Sequence, residues 1–394
     1  MDNKSFSDLI TFTRSTTGTF LNSAGRIVTA AIDVPRFEYD ASGAPRGLLF
    51  EQQRVNLALQ SGDFANAAWT KSGATVPATA VVAPDGSPAV KLTENTANTT
   101  HQVSQSGKVL TGSTKYCRYA LAKADGSGRM LYLETDSFGQ WVNSGSCRYN
   151  LDTGVVDVAS PGLDAVGMIP YPNGWYLCYL VATTIASPAA VPFDVQLATS
   201  AGPSYLGDGT SGAYIWHAQL EAGDGPSSPI PTMAAQVTRA ADLAFVPASN
   251  WLQAGEGTLF CEYVPDGVTV NAVCANLGTT SAVGRVMLWL RASDQKASAW
   301  VVNDAAATEF SSVVGPAFAP GQTIKQAIAY KANDFQFSAA GVLGPSDMSG
   351  SLPTIDRLAL GARGVSTDHL QGHIRRIKYY PRRLSAGELQ ALTA

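Results

Sequence analysis

The feature that most limits what this chain can fold into is its punctuation. Clusters of turn-forming residues recur along it: Pro84-Asp85-Gly86, Asp125-Gly126-Ser127-Gly128, Pro172-Asn173-Gly174 and Gly207-Asp208-Gly209. Gly and Asn tolerate a positive φ, Pro presets a turn, and Asp bonds its own backbone, so each cluster interrupts regular structure. Between them lie short runs at 116–122, 130–134, 147–151, 175–182, 193–197 and 214–220, rich in the Val, Ile, Tyr and Trp that suit a pleated, half-buried surface. No helical period competes with this rhythm, which predicts an antiparallel β-sandwich.

The string Gly-Asp-Gly-Pro-Ser-Ser-Pro-Ile-Pro at 223–231 breaks regular structure and marks the exit from this domain. Strand-like runs resume at 257–264, 286–291, 298–302, 324–330, 357–362 and 372–380, which predicts a second sandwich. Near the end, Ser385 and Glu388 form an S-x-x-E capping box, and one short helix is expected over about 386–392. The first 55 residues read as a compact leader with a helical turn from Ser5 and short strands. Its apolar residues, Phe12, Phe20, Ile27, Leu48 and Phe50 among them, are too few for a separate core and must bury against the next domain or a neighbouring subunit. The expected organisation is therefore an all-β chain: an assembly segment at 1–55, and two tandem sandwiches at 56–242 and 243–394. A length of 394 residues suffices for two or three such domains.

Composition narrows the partners. Charged residues make up only 15% of the chain, the net charge is −4, and there is no Lys/Arg run, so nothing here would hold a phosphate backbone. The N-terminus lacks a basic region followed by an apolar stretch, and no run of about 18 apolar residues occurs, which predicts a soluble chain without signal peptide or membrane insertion. Five cysteines, an odd number with no CxxC pair, read as reduced and buried in apolar slots, with a Cys117–Cys178 or Cys117–Cys147 bridge as the alternative.

Three strings in the leader are distinctive in combination: Ile-Thr-Phe-Thr-Arg-Ser-Thr-Thr-Gly-Thr-Phe at 10–20, Val-Pro-Arg-Phe-Glu-Tyr-Asp at 34–40, and Arg-Gly-Leu-Leu-Phe-Glu-Gln-Gln-Arg-Val-Asn-Leu at 46–57. Together they resemble the N-terminal pattern of phage tail-fibre and head-fibre proteins. Ser61-Gly62-Asp63-Phe64, Trp69, Gly174-Trp175-Tyr176 and Trp-His-Ala-Gln-Leu-Glu-Ala-Gly at 216–223, closed by Val-Thr-Arg-Ala-Ala-Asp at 237–242, resemble a carbohydrate-binding-module-like jelly roll. The C-terminal third is similar to concanavalin A-like or laminin-G-like sandwiches through Gly257-Thr258-Leu259-Phe260 and Gly-His-Ile-Arg-Arg-Ile-Lys-Tyr-Tyr at 372–380. The resemblance implies a non-enzymatic virion protein, made in the host cytoplasm and carried on a tail fibre, baseplate or other appendage. It further implies docking to other virion proteins through the leader, a homo-oligomer, by class a trimer, and lectin-like domains for host-surface glycans. A purely architectural or capsid-decorating protein is the first alternative and a polysaccharide-degrading glycosidase the second, because fold does not fix function.

Chemistry was sought residue by residue. A glycosidase needs two carboxyl groups across a cleft; Glu134 and Asp136 share a strand face if the strand persists, but a solvent-facing strand edge explains them as well. His369 and His373 have a metal-ligand spacing only on a helix, and their segment reads as strand. His217 lies in a strand, where packing accounts for it, and His101 in a polar loop. No nucleophile elbow, P-loop or dinucleotide fingerprint occurs, so no catalytic residue and no cofactor are expected. Asp208 and Asp152 would suit a structural calcium, although both strings are also ordinary turn chemistry. For sugar recognition, an aromatic face beside amides and carboxylates is the usual device. Trp141 is the leading candidate because its loop context is hard to explain as core, with Gln140, Tyr132 and Glu134 beside it; packing or subunit contact is the competing account. Trp69, Trp175 and Trp216 read as core.

Overall fold

The computed structural model describes residues 6–135, 139–248, 251–267, 271–280, 283–363 and 368–394. The expected all-β architecture is found: two tandem sandwiches and one short C-terminal helix, Ala386–Thr393, with the helical turn Phe6–Leu9 at the other end. Ser385 caps the C-terminal helix and Glu388 returns the bond to the cap backbone, so the capping box forms as the sequence suggested.

The first sandwich pairs two antiparallel sheets. The seven-stranded one runs in the order Ala165–Tyr171, Trp175–Thr183, Lys115–Ala124, Gly212–Ala222, Pro88–Glu94, Ala74–Thr75, with Ala78–Val82 also on Pro88–Glu94. The six-stranded one runs Val155–Ala159, Ser146–Asn150, Met130–Glu134, Val191–Ala198, Gln102–Lys108, Thr70–Ser72. Period-two alternation sends Leu131, Leu133, Tyr149, Phe193, Val195 and Leu197 into the space between them, where they meet Trp69, Leu92 and Leu220. Strand Lys115–Ala124 is buried along most of its length because its outer side is covered too. There the leader hairpin Gly18–Leu21/Ile27–Ala30 lays Leu21 and Ile27 against Tyr119, Leu121, Trp175 and Trp216. All five cysteines are buried free thiols. Cys117 lies in this outer cluster while Cys147 and Cys178 face the inter-sheet core, so the bridges considered from sequence do not form.

The second sandwich is not contiguous in sequence. One sheet has the order Thr11–Thr13, Leu243–Pro247, Arg357–Leu360, Ala272–Gly278, Arg285–Leu290, Lys296–Val302, Thr308–Ala317. The other has the order Val342–Leu343, Asp334–Ala339, Ile324–Lys331, Glu256–Pro265, Gly372–Tyr380, Pro45–Phe50, Phe37–Tyr39. Both therefore take edge strands from the leader, whose Phe12, Leu48 and Phe50 belong to the same core as Leu259, Leu288 and Phe337. The fit is close. Gly47 lies at a φ of 123°, and a Cβ there would sit 2.6 Å from the carbonyl oxygen of Ile374, so only glycine lets the leader strand approach Gly372–Tyr380. Gly361 likewise leaves room for the Phe50 ring.

A buried ion network closes the seam. Arg14 donates to Asp242 (3.1 Å), Arg36 to Glu51 (2.6 Å) and to Asp242, and Arg239 to Glu51 (2.8 Å). Ser228 adds its backbone N–H and hydroxyl to the Glu51 carboxylate at 2.6 and 2.7 Å. Burial opposes ionisation of Glu51, but Arg239 and Arg36 outweigh it and hold its pKa far below the ordinary value. These five side chains come from the distinctive strings at 10–20, 34–40, 46–57 and 237–242. The strings that resemble a virion-docking leader thus tie residues 6–55 and the 223–242 connection into one internal joint.

Candidate functional site

Three places bring functional side chains together. The first is the outer face of the six-stranded sheet. Because Leu131 and Leu133 point inward, Tyr132 and Glu134 point out, as the alternation requires. Tyr132 lies opposite Gln196 on one side and Arg148 on the other. Glu134 accepts a hydrogen bond from Gln196 Nε2 at 2.6 Å and one from the Tyr132 hydroxyl at 3.4 Å. Arg148 Nε donates to Asp157 at 2.5 Å. Gln196 is 1% exposed, and among the described residues its Oε1 accepts no hydrogen bond. The result is a half-buried phenol ring, two carboxylates and a guanidinium on one patch around the buried Gln196 amide, with Asp194 and Ser104 paired alongside. It can accept and donate hydrogen bonds to hydroxyls. Asp136, the partner considered for Glu134 in acid/base chemistry, lies outside the described residues.

The other two sugar candidates lie elsewhere. Trp141 is 4% exposed and packs in the inter-sheet core, with the Arg118 guanidinium 4.7 Å from its ring centroid and a β-bridge to Thr184. This corrects the loop reading: the indole closes the end of the sandwich and presents no free face. Gln140 accepts from Ala189 N at 2.5 Å and from Ile185 N at 3.0 Å, so it fastens the same end. Trp69, Trp175 and Trp216 are buried. His101 lies in the break between Asn98–Thr100 and Gln102–Lys108 and is fully buried there, with Nδ1 2.6 Å from the Gly73 carbonyl and Nε2 3.2 Å from that of Tyr205. Burial pushes His217 down to about 4, which keeps it neutral beside Gln219. Both oxygens of Asp208 are occupied by Thr210 and Ser211 in a tight turn, and their hydrogen bonds hold its pKa down. Asp152 is exposed, its N–H held by Asn150. Among the described residues no group of three or more His, Cys, Asp or Glu side chains is arranged to hold a metal.

The second place is a cleft of about 370 Å³ between the sandwiches, with Tyr171 and Tyr179 on one wall and Glu38, Arg46 and Asp266 on the other. Four titratable groups gather at that wall. His373 Nε2 is 2.7 Å from Glu38 and its Nδ1 3.3 Å from Asp266, while Arg46 reaches Asp266 at 2.6 Å and Glu38 at 3.3 Å. Burial disfavours charge on His373, but Asp266 and Glu38 outweigh it and raise its pKa. His369, four residues earlier, makes a separate bridge to Val273, so the two histidines do not share a ligand site. The cluster joins the leader to the second sandwich, and its carboxylates are committed to that task.

The third place was missed from sequence. On the second sandwich, Val286, Leu288 and Leu290 point inward, as do Ala297, Ala299 and Val301, so Trp289 and Trp300 stand on the outer face. Their alternation with core residues inside two expected strands was the available signal. Trp289 is half-buried and lines an open groove of about 610 Å³ with Asn271, Arg291, Ser293, Ser298 and Ser311. Trp300 lies diagonally across the strand pair, its Nε1 bonded to Thr308 at 3.1 Å and the Arg285 guanidinium 5.7 Å from its centroid.

No family model and no curated relative matches the chain. Among solved structures it is similar to the Ruminococcus gnavus IT-sialidase CBM40, at 17% identity and a TM-score of 0.32 over 36% of this chain and 84% of that one. It is also similar to the native heptameric SAP-like pentraxin of Limulus polyphemus, at 9% identity and a TM-score of 0.30 over 39% of this chain and 81% of that one. Domains LG4-5 of the mouse laminin alpha1 chain overlap more of it, 74% of this chain and 92% of that one, at 11% identity and a TM-score of 0.27. The sandwich fold stands on the strand order itself.

Proposed function

We propose that this chain is a non-enzymatic component of a phage virion appendage, a tail fibre or baseplate, whose sandwiches hold host-surface glycans. The single observation that carries the glycan reading is the patch of Tyr132, Glu134, Arg148 and Gln196 on the outer face of the six-stranded sheet. Pyranose recognition needs an aromatic surface with amide and carboxylate groups beside it, and this patch supplies both on a rigid sheet. The virion location is supported by the leader strings. Because residues 6–55 are woven into both sandwiches, docking to other virion proteins, and any trimerisation, would use surfaces of the folded unit rather than a free arm. A non-catalytic role is supported by the carboxylates themselves: Glu134 is held by Gln196 and Tyr132, while Glu38 and Asp266 are held by His373 and Arg46.

The internal use of the leader strings also favours the architectural reading, in which the sandwiches contact only other virion subunits. A glycan array probed with the full chain separates the two. Binding that falls at least tenfold in Tyr132→Ala and Glu134→Gln is expected; an array without signal for the assembled protein would favour architecture. Release of reducing ends from a bound polysaccharide would instead revive the glycosidase reading.

A further inference from the structure

The groove beside Trp289 differs from the Tyr132 patch in its charge. Around Tyr132, carboxylates are prominent: Glu134, Asp157 and Asp194. In the groove, Arg291 is the one charged side chain among the described residues that line it, and the remaining polar groups are the Asn271 amide and the hydroxyls of Ser293, Ser298 and Ser311. Lys296 adds positive charge close by, since Arg291 N bonds to its carbonyl at 3.0 Å at the end of the same hairpin. The neighbouring acid is Asp294, which meets Arg291 Nε at 3.3 Å with both side chains about a third exposed. A surface pair of this kind contributes little to stability, so Arg291 remains available to a better-placed anion. Arg291 Nη2 also donates to Ser293 Oγ at 3.2 Å, which holds the guanidinium at the groove.

The floor of the groove is built and rigid. Ser298 is 1% exposed and its hydroxyl is tied to the Ser312 carbonyl at 3.0 Å. Asn271 accepts from Ala292 N at 3.0 Å, which fixes its amide at the rim. An indole beside hydrogen-bonding groups, with a guanidinium at one end and no carboxylate among the described lining residues, is complementary to a ring with an apolar face, hydroxyls and a negative charge. A planar guanidinium pairs with a carboxylate through two parallel hydrogen bonds.

We infer that this groove is a second saccharide site, selective for an acidic sugar, with the pyranose against Trp289 and its carboxylate on Arg291. The inference rests on the glycan-binding reading above but uses a different domain, so the two can fail separately. The test titrates the full chain with galacturonic, glucuronic and N-acetylneuraminic acid oligosaccharides, followed by tryptophan fluorescence and calorimetry, and repeats the titration with the methyl ester of whichever binds. The ester keeps the shape and removes the charge. Binding is expected to weaken at least tenfold for the ester and in Arg291→Gln, and to be lost in Trp289→Ala, while Tyr132→Ala leaves it unchanged. Arg291 lies at the partly exposed end of a hairpin, so Arg291→Gln reports on the site even if Trp289→Ala unfolds the sheet. Equal binding of acid and ester, indifference to Arg291→Gln, or no binding of any acidic saccharide would overturn the inference. Loss of acidic-sugar binding in Tyr132→Ala alone would also overturn it while leaving the glycan-binding reading intact.

Discussion

The two sandwiches are completed in different ways. The first draws both of its sheets from residues 70–222, in one stretch of chain. The second draws its other strands from residues 243–380 but takes three, the edge strands Thr11–Thr13 and Phe37–Tyr39 and the penultimate strand Pro45–Phe50, from the other end of the chain. A sheet edge is a row of unpaired backbone groups, and ending each sheet on a three-residue leader strand leaves little of that row for another chain to pair with. The difference teaches that the leader is a structural part of the C-terminal domain before it is anything else. It also makes the molecule one unit, since the leader hairpin Gly18–Leu21/Ile27–Ala30 simultaneously covers the first sandwich.

The largest expected effect follows from that asymmetry. Deleting residues 1–55 removes Phe12, Leu48 and Phe50 from the second core. Each buried side chain of this kind contributes about 1.5–3 kcal/mol, and a domain has only about 5–15 kcal/mol in total. The truncated chain is expected to lose the second sandwich, while the first, which loses only the Leu21 and Ile27 cover of its outer face, keeps its protease resistance. Equal damage to both would break the comparison.

Next comes the ion network. Glu51→Gln leaves Arg36 and Arg239 buried beside an uncharged group, and breaking one partner of a buried pair costs about 3–5 kcal/mol. Denaturant melts should show that loss. A smaller effect concerns pH. His373 has its pKa raised in the folded state, so its stabilisation is full below the unfolded value of 6.5 and is lost as pH rises through the raised value. Melting temperatures recorded across that range should decline on the alkaline side for the native chain and stay flatter for His373→Gln. The smallest effect is at the C-terminal helix, where Ser385→Ala removes the cap and should cost about 1 kcal/mol.

Much of the fold was legible because its signals are local. Turn clusters bounded the strands, and runs of β-favouring residues placed Met130–Glu134 and Gly372–Tyr380. The capping box fixed the last helix. What could not be read was pairing across long separations: nothing near Leu48 points to Ile374, its partner in the sheet. Arg14, Arg36, Glu51, Arg239 and Asp242 were visible as members of distinctive strings, but their partners lie up to 228 residues away, so their joint role emerged only in three dimensions. The site divided in the same way. Tyr132 and Glu134 were legible only as neighbours of Trp141 in the sequence, and Trp141 itself was misjudged because the Arg118 guanidinium and the Thr184 bridge that enclose it are remote in sequence. Trp289 and Trp300 were legible from alternation yet overlooked, since strands expected to be core drew attention away from their outward positions.

Hydrogen exchange on the intact chain tests the integral role of the leader most directly. Leu48, Leu49 and Phe50 lie opposite Ile374, His373 and Gly372, and their amides should exchange only in the opening that also exposes Glu256–Pro265 at the centre of the same sheet. Matching protection across these three segments is the predicted result. Rapid exchange of Leu48, Leu49 and Phe50 while Glu256–Pro265 stays protected would mean that the leader is a separable arm, and would contradict the account.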